Sequence, residues 1–248
     1  MSTTVLRLAG PLMAWPDADR YRVRRTREEP TFSALQGLLC AAAGIGRGAA
    51  RPDWITGAAL AARVDRPGSV LRDFHTVNPR PAHPYRWLTA PDRKLAVATV
   101  VDAEGKARTA TVVTERFYRQ DQVVTVYVDD PAGRIADAMS HPVWAPFAGR
   151  KACAFSFPLL LGHWPGPVGA AAVGAPTAAR LAGSELEPLA VTLYQEPVTL
   201  VPTSSEVAAD DPTGQVGQGY GARRRWYTTS SPPELACWSD VMEALNVA

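Results

Sequence analysis

The run VVTVYV at residues 123–128 limits the possible folds of this chain more than any other stretch. Its β-branched and aromatic residues predict a strand within a sheet, because such side chains fit a pleated, half-buried surface. Asp130 and Pro131 follow at once, and these residue types are favoured at the cap and the first position of a helix. A helix is therefore predicted from residue 131 to about residue 139.

Further elements are predicted on the amino-terminal side of this run. They are a first strand around Leu6 that ends at Gly10-Pro11, a helix over 33–43, and strands over 58–65 and 70–77. The turn sequence at residues 66–69 predicts that the last two strands form a hairpin. With a closing strand over 152–161, the order strand, helix, strands, helix, strand predicts a split β-α-β, ferredoxin-like domain.

An arginine-rich loop precedes the helix predicted over 33–43. Ser33 is the expected N-cap, with Gln36 completing a capping box, and Gly44 followed by Ile45 predicts a Schellman-type end. Guanidinium groups beside the free N–H groups of a helix start can hold phosphate, so the loop is a candidate nucleic-acid contact. The alternative is a solvated basic loop in front of a core helix.

Composition narrows the function classes only slightly. The formal net charge is +2, so a nucleic-acid signal must come from local clustering of the arginines rather than from bulk charge. Cys40, Cys153 and Cys237 lie far apart, which predicts neither a disulfide framework nor a zinc site. The start of the chain has no signal-peptide pattern and no apolar run is long enough to cross a bilayer, which predicts a cytoplasmic protein.

The rest of the chain divides into an arm and a small carboxy-terminal part. Residues 78–93 have no regular period, and the strand-like runs 94–101 and 109–114 flank a turn at 102–105, so a projecting β-hairpin arm is predicted at about 78–116. Beyond the closing strand, the predicted elements are a linker over 164–183, a hairpin from 189–194 and 198–201, a flexible segment over 203–221, a strand over 223–229 and a helix within 233–245.

Five stretches taken together resemble one family, the CasD family of RAMP-type CRISPR proteins, which are subunits of the type I-E Cascade surveillance complex. They are residues 6–15, 30–45, 72–77, 116–121 and 149–162, and their order and spacing make the likeness specific over about the first two-thirds of the chain. The resemblance implies an α+β fold: a ferredoxin-like, RRM-like domain at 1–162 with a β-hairpin thumb at about 78–116, followed by a small β module at 163–248.

The resemblance also implies a function. It points to a subunit that holds the 5′ repeat-derived end of a CRISPR guide RNA and contacts the adjacent backbone subunit and the large subunit of the complex. Target DNA would be met indirectly, through the guide, and no membrane, metal or cofactor is implied. The RNA-binding residues predicted from the basic loop and from the family motifs are Arg20, Arg22, Arg24, Arg25, Arg27, Ser33, Gln36, Arg47, His75, Arg80, Arg108, Arg116, Tyr118, Arg150 and Lys151.

Catalysis is the main competing hypothesis, because some relatives in the wider family are metal-independent endoribonucleases. Such a cut needs a base, an acid and a cation, for which His75, Tyr118, Arg116 and Lys94 are candidates. No second histidine stands in a comparable motif, so a non-enzymatic protein is predicted, with a CRISPR-repeat endoribonuclease as the alternative. Without the family resemblance, a ferredoxin-like interaction protein that binds no nucleic acid also remains open.

Overall fold

The computed structural model describes residues 2–16, 22–77, 99–101, 107–109, 112–179, 187–195, 202–212 and 220–246. The strands in these segments are β1 (Ser2–Met13), β2 (Trp15–Pro16), β3 (Val23–Arg24), β4 (Thr26–Arg27), β5 (Leu60–Arg66), β6 (Ser69–Val77), β7 (Thr99–Val101), β8 (Ala107–Thr109), β9 (Val112–Asp129), β10 (Leu160–Pro165), β11 (Leu189–Leu193), β12 (Ser204–Pro212) and β13 (Tyr220–Ser230). The helices are α1 (Phe32–Ala42), α2 (Asp53–Thr56), α3 (Arg134–Ser140), α4 (Val168–Gly174) and α5 (Trp238–Asn246). None of these helices is long and apolar enough to cross a membrane.

One antiparallel sheet, in the order β10-β1-β9-β5-β11-β13-β12, forms the centre of the protein. Its middle strand is β9, which contains the predicted strand at 123–128 but extends over 18 residues. β1 pairs with β9 from Thr3 opposite Asp129 to Met13 opposite Arg119. The first strand therefore continues past Gly10-Pro11, where the sequence predicted its end.

The predicted hairpin of strands 58–65 and 70–77 is wrong. β5 pairs with β9 over residues 123–128 and β6 pairs with β9 over residues 112–120, both antiparallel, so the two strands run in the same direction along one edge of β9. Residues 67–68 make a kink between them instead of a reversal. Gly68 has a φ of +64°, and Asp121 on the facing strand has a φ of +57°, so both strands bend at the same level.

The N-cap of helix α1 lies two residues earlier than the capping-box motif predicted. Thr31, with extended backbone, accepts a hydrogen bond from the N–H of Ala34 at 3.2 Å and is the N-cap in place of Ser33. This start buries Phe32 completely, which is the physical reason for the choice. Gln36 is also buried, and its amide donates to the carbonyl of Ile55 at 3.2 Å rather than closing a capping box.

The predicted end of α1 is confirmed. Gly44 has a φ of +72°, its N–H donates to the carbonyl of Ala41, and the N–H of Ile45 donates to that of Cys40 at 2.8 Å. These two bonds define the Schellman motif. The predicted N-cap at Asp130 and the predicted helix start at Pro131 are wrong, because the N-cap is Gly133 and the helix starts at Arg134. The Asp130 carboxylate nevertheless accepts the N–H groups of Ile135 and Ala136 in the first turn.

Apolar side chains cover both faces of the sheet. On one face, α1 and α3 pack against alternate residues of β1, β5 and β9, such as Leu8, Val64 and Val126. On the other face, α4 and α5 pack against the intervening residues, such as Val5 and Tyr127. The sheet is thus the middle layer of three.

The carboxy-terminal part contributes strands to this same sheet. β11 pairs with β5 on one side and with β13 on the other. The strand predicted over 223–229 is confirmed within β13, and α5 lies inside the predicted helical range except for its last residue. Two predictions are wrong: the linker over 164–183 contains α4, and the flexible segment over 203–221 contains β12, paired with β13. The proposed boundary at residue 162 remains a prediction.

Little of the arm can be compared with its prediction. β7 and β8 pair antiparallel, with Thr99 opposite Thr109 and Val101 opposite Ala107, on either side of the predicted turn. Residues 78–98, 102–106 and 110–111 lie outside the described segments, as does the strand predicted at 198–201. The projecting thumb therefore remains a prediction.

A buried ion pair joins α4 to the sheet. Arg63 in β5 is fully buried and binds the carboxylate of Asp65, with 2.5 Å between Nε and Oδ1. Its Nη1 donates to the carbonyl of Ala175, just past the end of α4, at 2.7 Å. Thr125 and Thr177 donate to the second carboxylate oxygen of Asp65 at 2.6 and 2.8 Å. This cluster gives the last carbonyls of α4 a charged donor.

Candidate nucleic-acid interface

A group of basic residues gathers where β9 extends beyond β1. There β3 pairs in parallel with β9, with Arg24 directly opposite Arg116, and on the other edge of β9 Asp73 of β6 is also opposite Arg116. Directly opposed residues in a sheet share a face. The side chains of Arg24, Arg116 and Asp73 therefore form a row on one face of three strands.

Arg150 fixes this arrangement from a turn that follows α3. Its Nη1 donates to the carbonyl of Phe117 at 3.2 Å and its Nη2 donates to the carbonyl of Arg24 at 3.1 Å. The guanidinium carbon lies 4.5 Å from the ring centre of Tyr118, which places the cation on the ring. Arg150 thus joins β3 to β9, and the exposed Lys151 follows it.

Charge pairing separates these residues from the other arginines nearby. Carboxylates neutralise three of the others: Arg27 binds Glu29 and Glu206, Arg72 binds Glu115, and Arg119 binds Glu28. By contrast, Arg24, Arg116 and Arg150 form no ion pair with any residue that the structure describes. The Nε of Arg116 is buried and has no hydrogen-bond acceptor among those residues. Cations left unpaired in this way can bind an external anion.

His75 lies on the same face of the sheet as Arg116. The register places His75 opposite Thr114 and Asp73 opposite Arg116, so the two β6 side chains share that face. The Nε2 of His75 hydrogen-bonds to the carboxylate of Asp73, and both side chains are partly exposed. A carboxylate that binds one ring nitrogen of a histidine fixes the orientation of the ring.

The structure scatters the remaining predicted site residues. Ser33 and Gln36 belong to the first turns of α1, and Tyr118 is buried under Arg150. Arg22 and Arg25 are exposed beside β3, whereas Arg47 is exposed in the turn after α1.

Three of the predicted residues cannot be placed against the basic row. Arg20 and Arg80 lie outside the described residues, and for Arg108 only the backbone in β8 is described. Their part in RNA binding stays a prediction.

Sequence reasoning missed two exposed aromatic side chains that come shortly before Arg150 in the chain. Trp144 and Phe147 precede the Arg150 turn and are 47% and 38% exposed. Phe147 forms a β-bridge with Ala154 across this turn, so it lies at its base. The available signal was an aromatic and proline-rich connector directly before Gly149-Arg150-Lys151, to which no role was assigned.

No cluster of three or more His, Cys, Asp or Glu side chains suited to a metal ion occurs within the described segments. The three cysteines are unpaired. Cys40 and Cys153 are buried, and burial raises the pKa of each thiol, whereas Cys237 is exposed. The placement of Cys40 in the core of α1 agrees with its apolar surroundings in the sequence.

Comparisons with known proteins agree on one family. The family model described as "CRISPR-associated protein (Cas_Cas5)" matches residues 3–212. The CRISPR system Cascade subunit CasD of Escherichia coli K12 is 30% identical over 181 residues, which are 65% of this chain and 70% of that protein.

Solved structures support the same conclusion. A chain of a CRISPR RNA-guided surveillance complex is 27% identical and superposes with a TM-score of 0.66. The aligned region covers 98% of this chain and 98% of that chain. A Cas protein that is 22% identical has the same fold, with a TM-score of 0.63. The aligned region covers 95% of this chain and 100% of that protein's chain. The match over residues 3–212 and the likeness to CasD confirm the sequence resemblance: the chain belongs to the Cas_Cas5 family of CRISPR-associated proteins, which includes CasD.

Proposed function

We propose that the chain is a non-catalytic RNA-binding subunit of a type I-E Cascade surveillance complex. It holds the 5′ repeat-derived end of the guide RNA, caps the protein backbone of the complex beside an adjacent backbone subunit and the large subunit, and meets target DNA only through the guide. The observation that carries the proposal is the cluster of Arg24, Arg116 and Arg150, none of which forms an ion pair with a described residue, since the neighbouring carboxylate of Asp73 binds His75 instead.

This row suits a sugar–phosphate chain. A guanidinium donates in a forked geometry that matches phosphate oxygens, and a half-buried arginine without a counter-ion gains most from such a contact. Arg24 and the neighbouring Arg22 and Lys151 are exposed, so a strand of RNA can reach them. Trp144 and Phe147 offer exposed ring faces, and splayed bases of single-stranded RNA stack on such rings.

The connectivity supports the finer fold assignment that belongs to this function. The order β1, α1, β5, β9, α3, β10, with the sheet order β10-β1-β9-β5, has the form of a split β-α-β, ferredoxin-like domain. The amino-terminal part of β9 with β6 extends beyond this four-stranded centre. We assign this extension to the base of the thumb.

Removal of the unpaired arginines should weaken RNA binding. The variant Arg24→Ala/Arg116→Ala is expected to bind a 5′-handle RNA about 10–100 times more weakly than the wild type, because two phosphate contacts are lost. The slope of log K against log salt should fall by about one to two units. Fluorescence anisotropy with a labelled RNA over a series of salt concentrations measures both quantities.

The matched control removes two arginines that carboxylates already neutralise. Arg72→Ala/Arg119→Ala takes away the same charge from neighbouring positions, at the Glu115 and Glu28 pairs. We expect its RNA affinity to stay within about threefold of the wild type, since surface ion pairs contribute little free energy. Equal losses in both double variants would show that only the overall charge matters, and no RNA binding by the wild type would favour an interaction protein without nucleic acid.

The alternative function, a metal-independent endoribonuclease for the CRISPR repeat, rests on the His75–Asp73 pair beside Arg116. An oriented imidazole next to a guanidinium has the composition of a base and a phosphorane-stabilising cation. We expect the purified protein to leave a repeat hairpin RNA intact on a denaturing gel, and His75→Ala to leave guide length unchanged in the assembled complex. Specific cleavage that His75→Ala abolishes, by about a hundredfold or more, would establish the alternative.

A further inference from the structure

Arg7 on the opposite face of the sheet also has no counter-ion within the part of the chain that the structure describes. It lies in the middle of β1, opposite Thr125, and its guanidinium carbon is 4.9 Å from the ring centre of Trp238 at the start of α5. Its Nη1 makes one long hydrogen bond, 3.4 Å, to the carbonyl of Phe157, and its Nε is buried without an acceptor. Among the described residues no carboxylate is paired with Arg7.

The surroundings of Arg7 disfavour its positive charge. Burial lowers the pKa of Arg7, and the positive charge of Arg66 lowers it further. The nearby carboxylate of Asp121 is paired with Arg66, with 2.8 Å between Nη2 and Oδ1, so it is not a counter-ion for Arg7. A half-buried guanidinium in this position would gain a hydrogen-bonded counter-ion if an external carboxylate approached.

The rim of this position is apolar and aromatic. The ring of Phe157, whose carbonyl meets Arg7, is 75% exposed, and Trp238 is partly buried against Ala9 and Val123. Arginine, tryptophan and other aromatic side chains are enriched at the centres of protein–protein interfaces, where they fill desolvated pockets of the partner. A single exposed apolar residue is ordinary on a surface, so Phe157 indicates an interface only together with Arg7 and Trp238.

We propose that Arg7, Trp238 and Phe157 form a docking site for an adjacent protein subunit that presents a carboxylate side chain next to an apolar one. The carboxylate binds the free edge of the Arg7 guanidinium, and the apolar side chain packs on Phe157. This inference rests on the proposed function, because the partner is a protein of the same ribonucleoprotein complex. It assigns that contact to the face of the sheet opposite the Arg24–Arg116 row.

Charge complementarity favours a protein carboxylate over RNA here. The Arg24–Arg116 row and its neighbours supply several cations, as a phosphate chain requires, whereas this site offers one unpaired cation. One guanidinium with an aromatic rim is matched by one carboxylate with an apolar neighbour.

The test compares Arg7→Met and Phe157→Ala with the control Arg72→Met in the full chain, co-expressed with the guide RNA and the proteins encoded beside it. Arg7→Met keeps the packing on Trp238 and removes the charge, and Phe157→Ala changes an exposed side chain, so both should fold. Each variant competes with the wild type for assembly. We expect Arg7→Met and Phe157→Ala to be incorporated at least tenfold less and Arg72→Met to be incorporated normally. RNA affinity of the free variants should be unchanged.

Cys237, next to Trp238, reports occupancy of the same site. It is exposed, whereas Cys40 and Cys153 are buried with raised pKa values, so N-ethylmaleimide should label Cys237 selectively in the free protein. We expect this labelling, followed by mass spectrometry, to slow at least tenfold in the assembled complex.

Four results would overturn the inference. Two of them are normal incorporation of Arg7→Met and unprotected Cys237 in the complex. The third is a parallel loss of RNA affinity, which would make the site an RNA contact. The fourth is a marked loss of stability of free Arg7→Met, which would mean that Arg7 already has a partner in the chain. Failure of the wild type to assemble at all would overturn the proposed function and this inference together, whereas equal assembly of wild type and variants overturns this inference alone.

Discussion

Asp65→Asn should lower the free energy of unfolding by about 3–5 kcal/mol, measured by urea denaturation at neutral pH. The substitution keeps the shape of the side chain but removes the charge that faces Arg63, which is fully buried. A buried cation without its counter-ion keeps its desolvation cost and loses the attraction that offset it. The hydroxyl groups of Thr125 and Thr177 also lose a charged acceptor.

The matched control is an arginine–carboxylate pair at the surface. Arg72 and Glu115 make two hydrogen bonds across β6 and β9, of 2.6 and 3.1 Å, with the Arg72 side chain more than half exposed. Glu115→Gln should therefore cost less than about 1 kcal/mol. If Asp65→Asn were equally mild, then the carbonyls that bind Arg63 at the end of α4 would be sufficient for its charge, and the cluster would not be what holds α4 to the sheet.

Local signals in the sequence predicted local structure correctly. The strand at 123–128 and the Schellman end at Gly44 and Ile45 each depend on residues within a few positions of one another. The N-cap of α1 was misplaced by two residues, from Thr31 to Ser33, because both side chains carry a hydroxyl. The choice between them depends on burying Phe32 against Tyr194, whose ring centre is 5.8 Å away and which is remote in sequence.

Pairing between remote segments could not be predicted from the sequence in the same way. The residues Pro67-Gly68 have the composition of a reversal, yet β5 and β6 continue in one direction because β9, some distance along the chain, offers both of them a partner. The segment at 203–221 is polar and rich in small residues, yet part of it forms β12 because β13 supplies its hydrogen bonds.

The candidate site shows the same limit. The sequence predicted a basic loop, but it could not show which of its arginines stay available. Arg27 is neutralised by Glu206, 179 positions further along the chain, and Arg24 is not. Nor could it show that Arg116 would lie opposite Arg24, since that depends on a parallel pairing of two residues of β3 with β9. The sequence therefore identified the basic residues of the site, and the fold determines which of them stay unpaired.

Gly68→Ala should lower the free energy of unfolding by about 2–4 kcal/mol, because two costs add at this position. Its φ of +64° is a left-handed conformation that costs a residue with a Cβ about 1–2 kcal/mol. A Cβ at this position would also lie 2.3 Å from the carbonyl oxygen of Gln120, a backbone atom of β9 that can move only by displacing the strand. The kink between β5 and β6 would have to open.

Gly48→Ala separates the two costs. Gly48 has a φ of +83°, but a Cβ there would meet nothing within 4 Å, so only the conformational cost of about 1–2 kcal/mol remains. Urea denaturation of both variants should therefore show Gly68→Ala to be the more damaging by at least about 1 kcal/mol. Equal losses would mean that β9 yields easily at Gln120. In that case the kink would not be what sets the position of β6, with Asp73 and His75, against Arg116.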